Sequence, residues 1–274
     1  MMVSSCLGAA TASIAAAILL GVGMPAMAAP TASGAFGLKA SFTVDGVTTG
    51  IGPLDALSGS APPGYAKSAT IGPIQKLIHI APGKTPIPVM ALNVSSIRTH
   101  VASSGFQIDS ASAEGDATVK GLDLSLTLDP PPPGGPFPQP FLRVTIGKIV
   151  STASMSQVFP QVPAATSTAT FSDLAISGSL IGDQPISLSG DVPNNTVIFQ
   201  SPTVTVTLNG KFLAGLITCD PKCTFKPVTL SASALDIALS GARLDGKAVS
   251  GDIVIGASQV GESLAVPLVA APSK

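Results

Sequence analysis

The sequence predicts an all-β protein: an antiparallel β-sandwich or prism-like stack with internal repeats, preceded by a signal-peptide helix. Three observations carry this. Apolar and polar residues alternate with period two, as in Leu122-Asp-Leu-Ser-Leu126 and Thr203-Val-Thr-Val-Thr-Leu208, the pattern of strands with one buried and one wet face. Steps that pair Asp or Asn with Gly recur at Asp45-Gly46, Gly182-Asp183, Asn209-Gly210, Asp245-Gly246 and Gly251-Asp252, and such steps favour tight turns. Helix-period segments are nearly absent beyond the N-terminal stretch, and 28 Gly with 25 Pro in 274 residues disfavour long helices.

The first 28 residues read as a secretory signal peptide. An apolar core runs from Ile14 to Val22, and Met24-Pro-Ala-Met-Ala28 supplies an A-x-A cleavage pattern after a helix-breaking proline. The stretch is too short and interrupted for a spanning helix, which needs about 20 apolar residues. It departs from the usual pattern in lacking Lys or Arg; the first charged side chain is Lys39. Residues 29–274 are then expected to form one all-β domain, secreted or at the cell surface, with no transmembrane segment. The tail from Gly261 is broken by Pro267 and Pro272 and is too short for a membrane anchor.

Further strands are expected around Leu92-Asn-Val94 and Leu142-Arg-Val-Thr-Ile146. Between them, residues 129–140 hold a proline run that cannot donate to a sheet ladder, so they form a loop. Three segments align without gaps: Ala117–Ser125, Ala169–Ser177 and Leu230–Ala238. Each places apolar residues at its third, sixth and eighth positions. The odd step from third to sixth inverts the strand's parity, which a β-bulge or bend achieves. The repeats are too long and uneven for a β-solenoid.

Bulk properties exclude several functions. Fourteen Lys+Arg against fifteen Asp+Glu leave a net charge of −1, which provides no field for nucleic acid. Tyr65 is the single tyrosine and Trp is absent, so aromatic platforms for sugars or bases are scarce. Mean hydropathy is high at +0.51. After cleavage two cysteines remain, Cys219 and Cys223, around Asp220-Pro221. In an oxidising compartment such a pair is expected to form a disulfide across a turn.

The run Gly178-Ser-Leu-Ile-Gly-Asp-Gln-Pro185, continuing through Val192-Pro-Asn-Asn-Thr196 to Val206-Thr-Leu-Asn209, resembles the choice-of-anchor P family, as do Ala35-Phe-Gly-Leu38 and Ala117-Thr-Val-Lys-Gly-Leu122. The resemblance covers about half of the chain after the signal peptide. It implies a bacterial exported all-β protein with a cell-envelope or surface role, and it carries no catalytic residues. This chain departs from the family in lacking a recognisable anchor.

Catalytic patterns are missing. His79 and His100 are the two imidazoles, with no G-x-S-x-G or H-E-x-x-H motif near either. Asp109, Glu114, Asp116 and Asp123 cluster in sequence, and a pair of facing carboxylates is what a glycosidase needs. They lack the spacing of a calcium loop and read as solvated strand positions. No cofactor or metal is implied. The expected protein is a non-enzymatic envelope or secreted structural protein, with a cell-envelope polymer or surface protein as partner. The alternatives are a binding module for glycan, lipid or protein, with Phe36, Phe42 and Tyr65 as the candidate patch, and a carboxylate-dependent hydrolase.

Overall fold

The computed structural model describes residues 31–61, 63–80, 86–106, 110–128, 140–158, 163–214, 217–218, 224–225 and 228–261. The expected signal peptide, the proline-rich loop apart from Pro140, the Cys219–Cys223 pair, Asp109 and the tail beyond Gly261 lie outside them. No helix among the described residues is long and apolar enough to cross a membrane.

Two antiparallel sheets pack face to face. Sheet A runs in the order β12 (Thr196–Gln200), β13 (Val204–Ala214), β16 (Thr229–Leu244), β17 (Lys247–Gly261), β1 (Ala32–Val44) and β2 (Val47–Leu54). β3 (Leu57–Ser60) also pairs with β1. Sheet B runs β11 (Ile186–Asp191), β10 (Ala164–Ser177), β9 (Leu142–Val158), β8 (Ser110–Leu126), β6 (Ile87–Val94) and β5 (Ile74–Ile80). β7 (Ser96–Phe106) pairs with β8 and with β4 (Tyr65–Ile71). A two-residue ladder, β14 (Ile217–Thr218) with β15 (Thr224–Phe225), stands apart. The antiparallel sandwich expected from alternation is what forms.

The parity inversion expected in the three repeats occurs in all of them. The buried face switches between Val119 and Leu122, between Phe171 and Leu174, and between Ala234 and Leu235. The switches belong to one line of left-handed kinks crossing both sheets, where neighbouring strands invert together and the register between them does not shift. In sheet B, Gly121 and Asp173 have left-handed backbone, φ 58° and 55°. In sheet A, Asn209, Gly256 and Asp55 do so, at 49°, 63° and 54°. The intervening strands β9, β16 and β1 present Gly147, Ala234 and Gly37 to them, so left-handed residues fall on alternate strands. Gly and Asx populate that region most readily. Asn209-Gly210, expected as a hairpin turn, is instead a left-handed kink inside β13, and Gly251-Asp252 lies within β17; Asp45-Gly46 and Asp245-Gly246 are turns as expected.

The line of kinks divides the core into a thick and a thin end. On the thick side Leu122, Leu124, Leu126, Leu142, Leu235, Ile237 and Phe42 fill the space between sheets. On the thin side the inward positions of β8 are Ala117, Gly115, Ala113 and Ala111. There a Cβ on Gly115 would lie 2.6 Å from the Gly34 carbonyl oxygen of the opposite sheet. A smaller cluster of Met155, Leu230 and Val260 closes this end. The sandwich is thus a wedge, and side-chain volume along each strand sets its taper. At one flank, fully buried Thr99 on β7 donates its hydroxyl to Asp55 Oδ2 at 3.1 Å, tying the sheets together.

Candidate functional site

Outward positions on the thick half of sheet A form a polar lattice. One register row holds Thr205, Ala238, Asp252 and Ser41; the next towards the turns holds Ser240, Ser250 and Thr43; the row on the other side holds Thr207, Asp236, Val254 and Lys39. Their inward neighbours, among them Val206, Ile237, Leu239, Ile253 and Phe42, are buried, so burial of one face places these hydroxyls and carboxyls on the other. The turn at Ser201–Thr203 raises one wall, held by Ser201 Oγ accepting the Val204 N–H at 2.9 Å. A concavity of about 450 Å³ results, lined by Ser41, Thr43, Thr203, Thr205, Ser240, Ser250 and Asp252 among others.

Asp252 lines the concavity, and a second carboxyl, Asp236, lies beside it in the next row. Asp252 Oδ2 is buried, with no hydrogen-bond partner among the described residues. Asp236 sits diagonally across the β16–β17 pair and accepts a hydrogen bond from the Ser233 hydroxyl. Burial pushes the Asp236 carboxyl up to about 6; the Ser233 bond opposes the shift, and the neighbouring Asp252 charge adds to it. Neutral hydroxyls around an acceptor-only carboxylate suit a ligand rich in hydroxyl donors.

The expected aromatic patch does not form. Phe42 is fully buried in the main core, opposite Gly251. Phe36 points to the outer side of sheet A but is only 2% exposed, packed with Val254 and Ala257. Tyr65 is half-buried, with its hydroxyl 2.8 Å from Ser33 Oγ. These residues looked available because aromatics are scarce. Strand parity, which inverts at Gly37, assigns two of them to packing.

On the outer face of sheet B one row brings together Ser68, His100 and Asp116 on three neighbouring strands. Ser68 Oγ lies 2.8 Å from His100 Nδ1. Burial raises the Asp116 carboxyl, against a lowering by His100; Glu114 raises it further and Arg98 lowers it. The residue types match a hydrolytic triad. The imidazole, however, meets the hydroxyl through Nδ1, the nitrogen a triad turns to its acid. The same-face rows on either side hold Ala66, Ala102 and Glu114, and Thr70, Arg98 and Thr118. We read it as a cross-strand polar row. His79 is exposed on β5. Glu114, Asp116 and Asp123 all face outwards along β8 without converging, and Asp123 takes a bidentate ion pair from Arg143 at 2.8 and 3.0 Å. No group of three or more His, Cys, Asp or Glu that could hold a metal ion gathers among the described residues.

Sequence reasoning passed over Asp236 and Asp252. The repeats held a signal, since Asp236 occupies the seventh position of the third repeat as Asp123 does in the first. Compared with protein families, with curated proteins and with solved structures, the chain matches none. The fold and site define it as an antiparallel β-sandwich with one hydroxyl-lined concave face.

Proposed function

We propose that the chain is an exported, non-enzymatic surface protein that holds a neutral, polyhydroxylated polymer of the cell envelope against sheet A. The observation carrying this is the concavity itself, lined by hydroxyls on four strands together with Asp252. Export is supported by the leader-like residues 1–28, and an envelope role by the resemblance to choice-of-anchor P proteins. Without aromatic platforms each contact is weak, and affinity comes from repetition along a polymer. Asp236 and Asp252 could serve as acid and base of a hydrolase. Asp236 is largely buried, though, whereas a general acid must reach its substrate; binding is the better reading.

Purified residues 29–274 should pellet saturably with cell envelopes from the source organism. The double change Asp252→Ala with Ser250→Ala should weaken this at least tenfold, since a hydrogen bond to a charged group contributes roughly 1.5–3 kcal/mol. Ser68→Ala, on the other sheet, should leave it intact. Protein that stays in the supernatant, or pelleting indifferent to the sheet A changes, would end this proposal.

The expected disulfide belongs to the same reading. Thr218 and Thr224 are register partners, and Cys219 to Cys223 are the residues between them. The exported protein should show no thiol to Ellman's reagent under denaturing conditions, and two after reduction. Its closure contributes roughly 2 kcal/mol. Two free thiols before reduction would show the pair to be open.

A further inference from the structure

The outer face of sheet B gathers three cations. Lys120 on β8 is the register partner of Lys148 on β9, and both are exposed on that face. On the other side Lys120 is opposite Ser96 of β7, so exposed Arg98, two residues on, is its diagonal neighbour. Opposite Cβ atoms in such pairs are about 5 Å apart and diagonal ones about 7–8 Å, within reach of long side chains. None of the three cations has an ion pair among the described residues, where the ion pairs are Arg143–Asp123 and Lys247–Asp45. Like charges placed directly opposite are destabilising, so the stability of the sheet does not account for the two lysines.

The neighbouring acids leave this excess standing. Asp116 is the other diagonal neighbour of Arg98 and is shared with His100. Glu114 lies a further row away, opposite Ala102. Asp173 rests its carboxylate against Gly147 without an ion pair to either lysine. Asp123 is held by Arg143. Beside the lysine pair, Gly121 and Gly147 stand together on the same two strands. Glycines inside strands mark places of close approach. The Ser95 hydroxyl lies over Gly121, where an added Cβ would strike it, and so borders Lys120.

We propose that Lys120, Lys148 and Arg98 form a site for the phosphate groups of an acidic polymer, on the opposite side of the sandwich from the sheet A concavity. The arginine fork takes two phosphate oxygens at once, and each lysine acts as a point charge. The Ser95 and Thr118 hydroxyls supply further donors on this face. An anion between the two ammonium groups turns their repulsion into attraction. The chain as a whole has a net charge of −1, so such binding is local to this patch. A lipid surface fits it less well. Thr118, Thr170 and Ser172 surround the patch, with Val150 as the apolar residue among them, and none of the large exposed hydrophobics lies there. Binding at a lipid interface draws on buried apolar area.

Calorimetric titration of residues 29–274 with sodium tripolyphosphate at low ionic strength tests this. Saturable binding that weakens with added salt is expected. Lys120→Gln with Lys148→Gln should weaken it at least tenfold. The same double change should raise the urea midpoint, because it removes the repulsion. Lys76→Gln with Arg243→Gln takes the same charge from elsewhere and should leave the affinity within about threefold. Equal losses from the two double variants would overturn the proposal, by showing a response to net charge alone. A lower urea midpoint in the lysine variant would overturn it too, by showing the lysines to be paired within the fold. So would an unaltered chain that shows no saturable binding, or one that prefers phosphatidylglycerol vesicles to tripolyphosphate.

Discussion

Replacing Asp236 by asparagine should stabilise the protein by about 2–3 kcal/mol at neutral pH. The carboxyl titrates near 6 in the folded chain against 3.8 without its surroundings, and one unit corresponds to about 1.4 kcal/mol. The folded state therefore binds more protons than the unfolded state between these values. Stability falls as pH rises from about 4 to 6, and the full penalty persists above that window. Asparagine keeps an oxygen to accept the Ser233 hydroxyl and removes the buried charge beside Asp252. Urea titrations of both proteins from pH 4 to pH 8 should show a declining midpoint for the wild type and a nearly flat one for Asp236→Asn. A variant no more stable than wild type at pH 7 would mean that the carboxylate is solvated in the folded chain.

Gly115→Val should be the most damaging single change at the thin end, costing about 3 kcal/mol or more. The first atom added would already lie 2.6 Å from the Gly34 carbonyl oxygen and 3.3 Å from that of Gln259. Both are backbone atoms of the opposite sheet, so no rotamer change relieves the contact. The sheets must separate, and Met155, Leu230 and Val260 lose their packing. Gly72→Ala is the matched control, since an added Cβ there meets nothing within 4 Å; it should be neutral or slightly stabilising through the unfolded state. A Gly115→Val protein that unfolds at the control's urea concentration would show that the wedge is not close-packed.

Much of this architecture was legible in the residues, because alternation reports burial of one strand face directly. The parity inversion inside the repeats was legible for the same reason: Val119 and Leu122 cannot both face the core of an unbroken strand. What escaped was its extent. Gly147, Ala234 and Gly37 have ordinary backbone and only face a left-handed residue on the neighbouring strand, so nothing local marks them. Asn209-Gly210 misled because the left-handed conformation that suits asparagine in a turn suits it equally at a kink within a strand. The site was less legible still. Asp252 and Asp236 are unremarkable outward residues of their own strands, and only register makes them diagonal neighbours. Register likewise placed Ser68 beside His100, thirty-two positions along the chain.

The strand order also governs the timing of assembly. Sheet B is built from residues 65–191, and most of its neighbours follow one another closely along the chain. In sheet A, β1 lies one strand in from an edge, with β2 on its outer side and β17, the last strand described, on the other. Before β17 is available, β1 has only the hairpin with β2 and the short β3 ladder, arrangements of marginal stability in water. The closure entropy of that very long loop must be met before the β1–β17 ladder returns anything, which makes assembly slow. A chain emerging from its N-terminus therefore completes sheet B early and leaves β1 waiting, and the sandwich locks only when β17 arrives to hold it.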